Sequence, residues 1–166
     1  MKRYMPAIVA GFGAGVLHVV PLTKALTCCL VVPIAAVIAL ILEQRANRLD
    51  GNIEINRGMF LGFLTGFIAA LFGSFFDIFI TLITKNNDII LAYHEMSDIF
   101  DSFPVPQDVK EETMNLMCGV VESIKETGFS FIYSITITIN NILVDSVFGF
   151  IGGIIGTKVL NARNSE

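Results

Sequence analysis

Tryptophan is absent from these 166 residues, histidine occurs twice, cysteine three times, and only 16% of the residues are charged. The lack of Trp removes the usual interfacial marker of helix ends, leaving fourteen Phe and three Tyr as the aromatic load. His18 and His94 lie in different regions, and His94-Glu95 is no part of an H-E-x-x-H pair. With no Cys/His cluster, Walker loop or G-x-S-x-G elbow either, hydrolytic and metal chemistry find no residues to use. No catalytic residue, metal or cofactor is expected, and the enzyme class is the least supported. Cys28 and Cys29 are adjacent and Cys118 is alone, so neither a disulfide framework nor a C-x-x-C pattern can be drawn. All three read as small packing residues. Positive charge is also scarce: eleven Lys and Arg against fifteen acids give a net charge of −4. That excludes the basic footprint of a nucleic-acid binder.

What is abundant is apolar surface. Hydrophobic residues make up 54% of the chain and the mean hydropathy is +0.70, outside the range of soluble domains. Four stretches are long enough for a ~30 Å hydrocarbon core, which needs roughly 20 apolar residues. The first runs from Tyr4 to Thr23, past Pro21; the second, Ala25 to Leu42, contains Pro33, where a modest kink is expected. The third runs from Gly58 to Thr84, broken by Asp77, and the fourth from Gly128 to Thr157, broken by Asp145. The fourth exceeds one crossing, so its span is placed at 132–157, its start lying at the interface or continuing a preceding helix. The expected fold is all-α: one membrane domain of four transmembrane helices. A second apolar run follows the first closely, which favours a retained span over a cleaved signal peptide.

Seven Lys and Arg (Lys2, Arg3, Arg45, Arg48, Arg57, Lys158, Arg163) fall on one side of such a topology, and Lys24, Lys85, Lys110 and Lys125 on the other. The positive-inside rule then puts both termini in the cytoplasm of a bacterial inner membrane. Between the third and fourth spans, residues 85–127 carry nine acids against three lysines. Ile89, Tyr93, Met96, Phe100 and Phe103, then Val109, Thr113, Leu116, Val120 and Ile124, recur at helical spacing. Two amphipathic helices are expected, parted at Pro104-Val105-Pro106, with Asp108 and Glu111 resembling a cap for the second. Their apolar faces are expected on the membrane interface or on a neighbouring subunit, either a protein partner or a second copy of the chain, and the acidic face disfavours strong adsorption to anionic lipid.

The strongest pattern is small residues every fourth position: Gly58, Gly62, Gly66, Ala70 and Ser74 in the third stretch, Gly149 and Gly153 in the fourth. Gly152 and Gly156 lie one face over, and Ala10 with Ala14 and Gly11 with Gly15 repeat the device in the first stretch. Such stripes let helix backbones approach closely. Gly11, Gly13 and Gly15 follow no strand, so they are no nucleotide fingerprint.

Ionisable residues inside a bilayer are costly, about 2.5 to 3.5 kcal/mol for a mid-helix Asp, and so mark function or specific pairing. Counting from Thr157, Asp145 lies about 18 Å up, near mid-membrane. Asp77, Asn140 and Asn141 fall nearer the outer interface. A hydrogen bond from Asp77 to one of the asparagines would satisfy groups that lipid cannot. Asp145, with no Lys or Arg partner in any span, is a candidate to hold or pass a proton. His18 reads as an interfacial histidine or, less simply, a relay.

Arg57-Gly58 through Gly62 and Gly66, and Asp145 through Gly149, Gly152, Gly153 and Gly156, resemble the bacterial family catalogued as domain of unknown function 4199, small four-helix membrane proteins. The resemblance implies the four-helix architecture and supplies no activity or site. The first functional expectation is a helical-bundle or complex-forming subunit packing through its glycine faces. The other is a small proton- or cation-coupled carrier or channel using Asp145.

Overall fold

A computed structural model describes residues 4–20, 26–47, 52–102 and 106–164. Among the described residues every regular element is helical. The helices are α1 (Met5–Leu17), α2 (Val32–Asn47, entered through a π-helical turn at Thr27–Val31), α3 (Ile55–Thr84), α4 (Asp88–Ser102), α5 (Gln107–Thr127) and α6 (Phe131–Asn164). Lys2, Arg3, Pro21, Lys24, Arg48, Phe103, Pro104 and Val105 lie outside the described residues, as do the side chains of Cys28 and Phe100.

Among the described residues three segments are long and apolar enough to cross a membrane: Cys29–Ala46, Ile55–Thr84 and Phe131–Asn164. The first expected span is shorter than its apolar run. α1 has 13 residues, a rise of about 20 Å, and ends at Leu17. α2, α3 and α6 each run beyond the apolar boundary read from sequence, because charged residues can extend a helix whose backbone bonds are already formed.

Side-chain placement is inverted relative to a soluble fold. Phe75, Leu143, Val147 and Val159 are all more than half exposed, while Glu43, Thr65, Asp145 and Thr157 are buried. Large apolar groups turned outward suit a hydrocarbon solvent, and polar groups turned inward avoid it. Thr65 and Thr157 donate to the carbonyls of Leu61 and Gly153 one turn back, which satisfies their hydroxyls within their own helices.

The π turn has a local cause. Pro33 lacks an N–H, and its ring crowds the carbonyl four residues earlier, on Cys29. The preceding turn widens, and the Val32 N–H bonds to the Thr27 carbonyl five residues back. The distortion expected at Pro33 therefore takes the form of an inserted residue.

The chain divides into two compact units, Met1–Asp77 with Ile137–Glu166, and Ile78–Thr136. In the first, glycines set the helix contacts. A Cβ on Gly62 would strike the Gly149 carbonyl, one on Gly153 the Gly58 carbonyl, and one on Gly66 the Asp145 carbonyl. Each of these contacts is backbone against backbone, so α3 and α6 touch along the seam and gain Cα–H···O contacts worth about 0.5 to 1 kcal/mol apiece. Gly152 and Gly156, one face over, meet Pro33, Ala36, Val37 and Leu40 of α2. Gly11 and Gly15 bring α1 against Thr65, Ile68, Ala69 and Phe72 of α3, where Phe12 and Phe72 stack edge to face at 5.0 Å.

In the second unit, Ile90 of α4 packs with Val120, Val121 and Ile124 of α5. The expected apolar face of α5 is buried only over this half. Val109 and Leu116 are exposed. Asp108 is not the cap either: Pro106 takes the N-cap position without a side-chain bond, since proline's fixed φ already suits a helix start. α5 closes at Gly128, whose φ of 79° needs a residue without a Cβ. That break separates the amphipathic helix from α6, so the fourth stretch does not continue α5. Lys85, at φ 50°, ends α3, and its ammonium donates to the Glu126 carbonyl at 2.6 Å. Asn87 donates to Thr81 Oγ1 and Tyr133 Oη at 2.6 and 2.7 Å.

The reading of the cysteines as packing residues does not hold for the two that are described. Cys29 and Cys118 are exposed. A hydrogen bond with the Cys118 sulfur holds the Tyr93 phenol above its usual pKa.

Candidate ion-binding site

α6 carries Ile137, Asn140, Asn141, Val144 and Asp145 at spacings that put them on one helix face. That face lines a cavity of about 200 Å³, completed by Gly73 and Asp77 of α3 and by His18 at the end of α1. All of it belongs to the first unit. The five polar residues singled out in the sequence, His18, Asp77, Asn140, Asn141 and Asp145, share this one wall.

The centre is a contact that sequence reasoning missed. His18 Nε2 stands 2.8 Å from Asp145 Oδ2, with the imidazole 11% and the carboxylate 1% exposed. Asp145 is thus not the lone carboxylate expected from the lack of Lys and Arg in the spans. Its partner is a histidine, which reaches it because α1 stops at Leu17 and leaves His18 at its C-cap. The two atoms stand at ion-pair distance but off the line of a hydrogen bond, and among the described residues neither has a hydrogen-bond partner. A protonated imidazole attracts the carboxylate by charge, and a neutral one with its proton on Nε2 still turns an N–H toward it.

Gly73 makes the contact possible. A Cβ there would lie 2.8 Å from His18 Cγ, so only a glycine lets the ring rest against α3 at this point. Asn141 donates its amide to Ser74 Oγ at 3.0 Å, fixing its side chain one turn below Asp77. The asparagine joins α6 to α3 through Ser74. Ser146, next to Asp145, is buried with no hydrogen-bond partner for its hydroxyl among the described residues. Asp77 and Asp145, assigned by residue counting to different depths, border one cavity because it extends along both helices.

A second buried charge lies elsewhere in the same unit. Arg57 Nε donates to Glu43 Oε1 at 2.8 Å and a second guanidinium nitrogen reaches the same oxygen, with the carboxylate 4% exposed. The guanidinium carbon also sits 5.8 Å from the Tyr4 ring centroid. Glu43 had fallen just past the second apolar stretch, and Arg57 had been counted as a loop charge. The signal available was their position, one residue beyond Leu42 and one before Gly58, where two helices continue. Nearby, Asn161 clamps the backbone at Ile53, accepting from its N–H at 2.8 Å and donating to its carbonyl at 2.9 Å.

Among the described residues no three His, Cys, Asp or Glu groups converge as a metal-ligand set. No family model, curated protein or solved structure matches the chain.

Proposed function

We propose that this is a membrane carrier or channel for protons or small cations, with the His18–Asp145 pair as its proton-binding centre. The observation that carries this reading is a carboxylate 1% exposed, 2.8 Å from an imidazole and without a hydrogen-bond partner among the described residues, on the wall of a cavity that also carries Asp77, Asn140 and Asn141. A purely structural seam gains little from such a group, because a buried carboxylate costs desolvation that one ion-pair contact offsets only in part. Intramembrane Asp and His residues that line a wet space are the elements from which proton relays are built. The cavity, at about 200 Å³, has room for several waters that could connect the pair to Asp77 and the asparagines. Glu43 and Arg57, held together, contribute no free charge to this path.

In this reading the chain crosses the bacterial inner membrane four times with both termini cytoplasmic. Residues 85–127 then form an acidic extracytoplasmic cap that offers cations a negative surface. The test is proton flux into liposomes holding the purified protein, comparing the wild type with Asp145→Asn and His18→Asn. Flux in the wild type and its loss in Asp145→Asn is expected; silence from the wild type, or equal flux in all three, would overturn the reading.

A second reading, a helical-bundle subunit that assembles with a partner or another copy, is favoured by the glycine contacts of α6 with α2 and α3 and of α1 with α3. It predicts a silent wild type and a co-purifying protein.

A further inference from the structure

The cavity wall is rich in acceptors. Asp145 Oδ2, on a residue 1% exposed, faces His18 Nε2 at 2.8 Å and has no hydrogen-bond partner among the described residues, so a buried carboxylate on the wall keeps acceptor capacity. Asn141 has committed its amide nitrogen to Ser74, which leaves its oxygen as the atom available to a guest. Asp77 adds a second carboxylate and Asn140 a second carboxamide. Among the described residues His18 is the one basic side chain on the wall, and it stands against two carboxylates. That balance of groups favours a cationic guest.

The remaining wall chemistry narrows its class. A hard metal ion asks for several anionic ligands closing on one point, and among the described residues no His, Cys, Asp and Glu trio converges in that way. Ile137 and Val144 give the same wall an apolar part, which a hydrated inorganic ion cannot use. The acceptors are dispersed around about 200 Å³, more space than a bare ion fills and less than a drug-sized ligand needs. Dispersed carboxylate and carboxamide oxygens are satisfied by a guest that carries several N–H donors pointing in different directions.

We infer that the His18–Asp145 cavity binds a small organic cation bearing N–H donors, of the alkylammonium or guanidinium type. The inference rests on the carrier reading above and names its cargo. Charge pairing with Asp145 holds the guest, N–H bonds to Asp145 and Asn141 orient it, and Ile137 and Val144 cover its apolar side.

The experiment is calorimetric titration of the full chain in detergent with methylammonium and with millimolar guanidinium chloride. Tetramethylammonium and sodium chloride at equal ionic strength serve as probes of the same charge without N–H donors. Saturable binding of the first two, each competing with the other, is expected, with none for the second two. Asp145→Asn should weaken binding by about tenfold or more, the loss of one charge-assisted hydrogen bond. Should that variant fail to fold, Asp77→Asn and the ligand series on the wild type decide the matter. Tetramethylammonium binding as well as methylammonium, absence of saturable binding, or full affinity in both variants would overturn the inference. Proton flux without organic-cation binding overturns this cargo and leaves the proton centre standing; binding without flux removes the transport reading and leaves the site.

Discussion

Asp145 and His18 illustrate how a residue's neighbours decide its chemistry. A carboxylate in hydrocarbon is expensive, and the usual remedies are a cationic partner or a full set of donors. Here the remedy is one imidazole at 2.8 Å, with no hydrogen bond to either atom among the described residues. The arrangement leaves the pair dependent on Gly73, which keeps the ring in place by having no side chain. Replacing Gly73 by Ala puts a Cβ 2.8 Å from His18 Cγ. The expected outcome is a displaced ring and a loss of about 1 to 3 kcal/mol, the usual cost of overpacking. Thermal unfolding in detergent measures the stability, and liposome flux measures the displaced proton centre. A variant unchanged in both would show that the ring's seat on α3 does not matter.

At the scale of elements, the bundle is assembled by what its helices omit. α3 and α6 meet where Gly58, Gly62 and Gly66 face Gly149, Gly153 and the Asp145 backbone. The seam holds Asp145 in place as well as the helices, since Gly66 rests on the Asp145 carbonyl. Gly62→Val inserts bulk against the Gly149 carbonyl and the Gly153 backbone, which cannot retreat as a side chain can. The expected result is separation of the two helices and a lower midpoint of thermal unfolding. Gly13→Val serves as the control, because a Cβ at Gly13 meets nothing within 4 Å. Equal midpoints for the two variants would contradict the account of the seam. The ends of the elements follow equally local rules: Gly128 closes α5 because its φ of 79° suits glycine, and the π turn precedes Pro33 because proline crowds the turn before it.

At the scale of the molecule, outward-facing Phe, Leu and Val and inward-facing Asp, Glu and Thr suit a lipid solvent. The proposed topology puts residues 85–127 outside the cytoplasm, and Cys118, exposed on α5, reports on it directly. In a chain with Cys28 and Cys29 changed to serine, a membrane-impermeant maleimide added to intact cells with a permeable outer envelope should label Cys118. Labelling only after lysis would reverse the topology and put the acidic segment in the cytoplasm.

Much of this was legible in the residues themselves. Apolar runs long enough to span, the four-residue spacing of Gly58, Gly62 and Gly66, and the periodic apolar positions that became α4 and α5 are local patterns, and helices form from local patterns. The scarcity of charge likewise made Asp145, Asp77 and His18 conspicuous without a structure. Tertiary structure alone decided which of these meet. Residue counting put Asp77 and Asp145 at different depths and left Asp145 without a partner, because it treats each helix as an isolated rod normal to a slab. The length of α1, ending at Leu17, delivers His18 to Asp145, and Gly73 gives the ring room. The same holds for Glu43 and Arg57, which looked like the boundary charges of two separate spans and form one buried pair. Periodicity names the face of a helix; the close approach of backbones selects the face it meets, and that approach depends on packing between residues far apart in the chain.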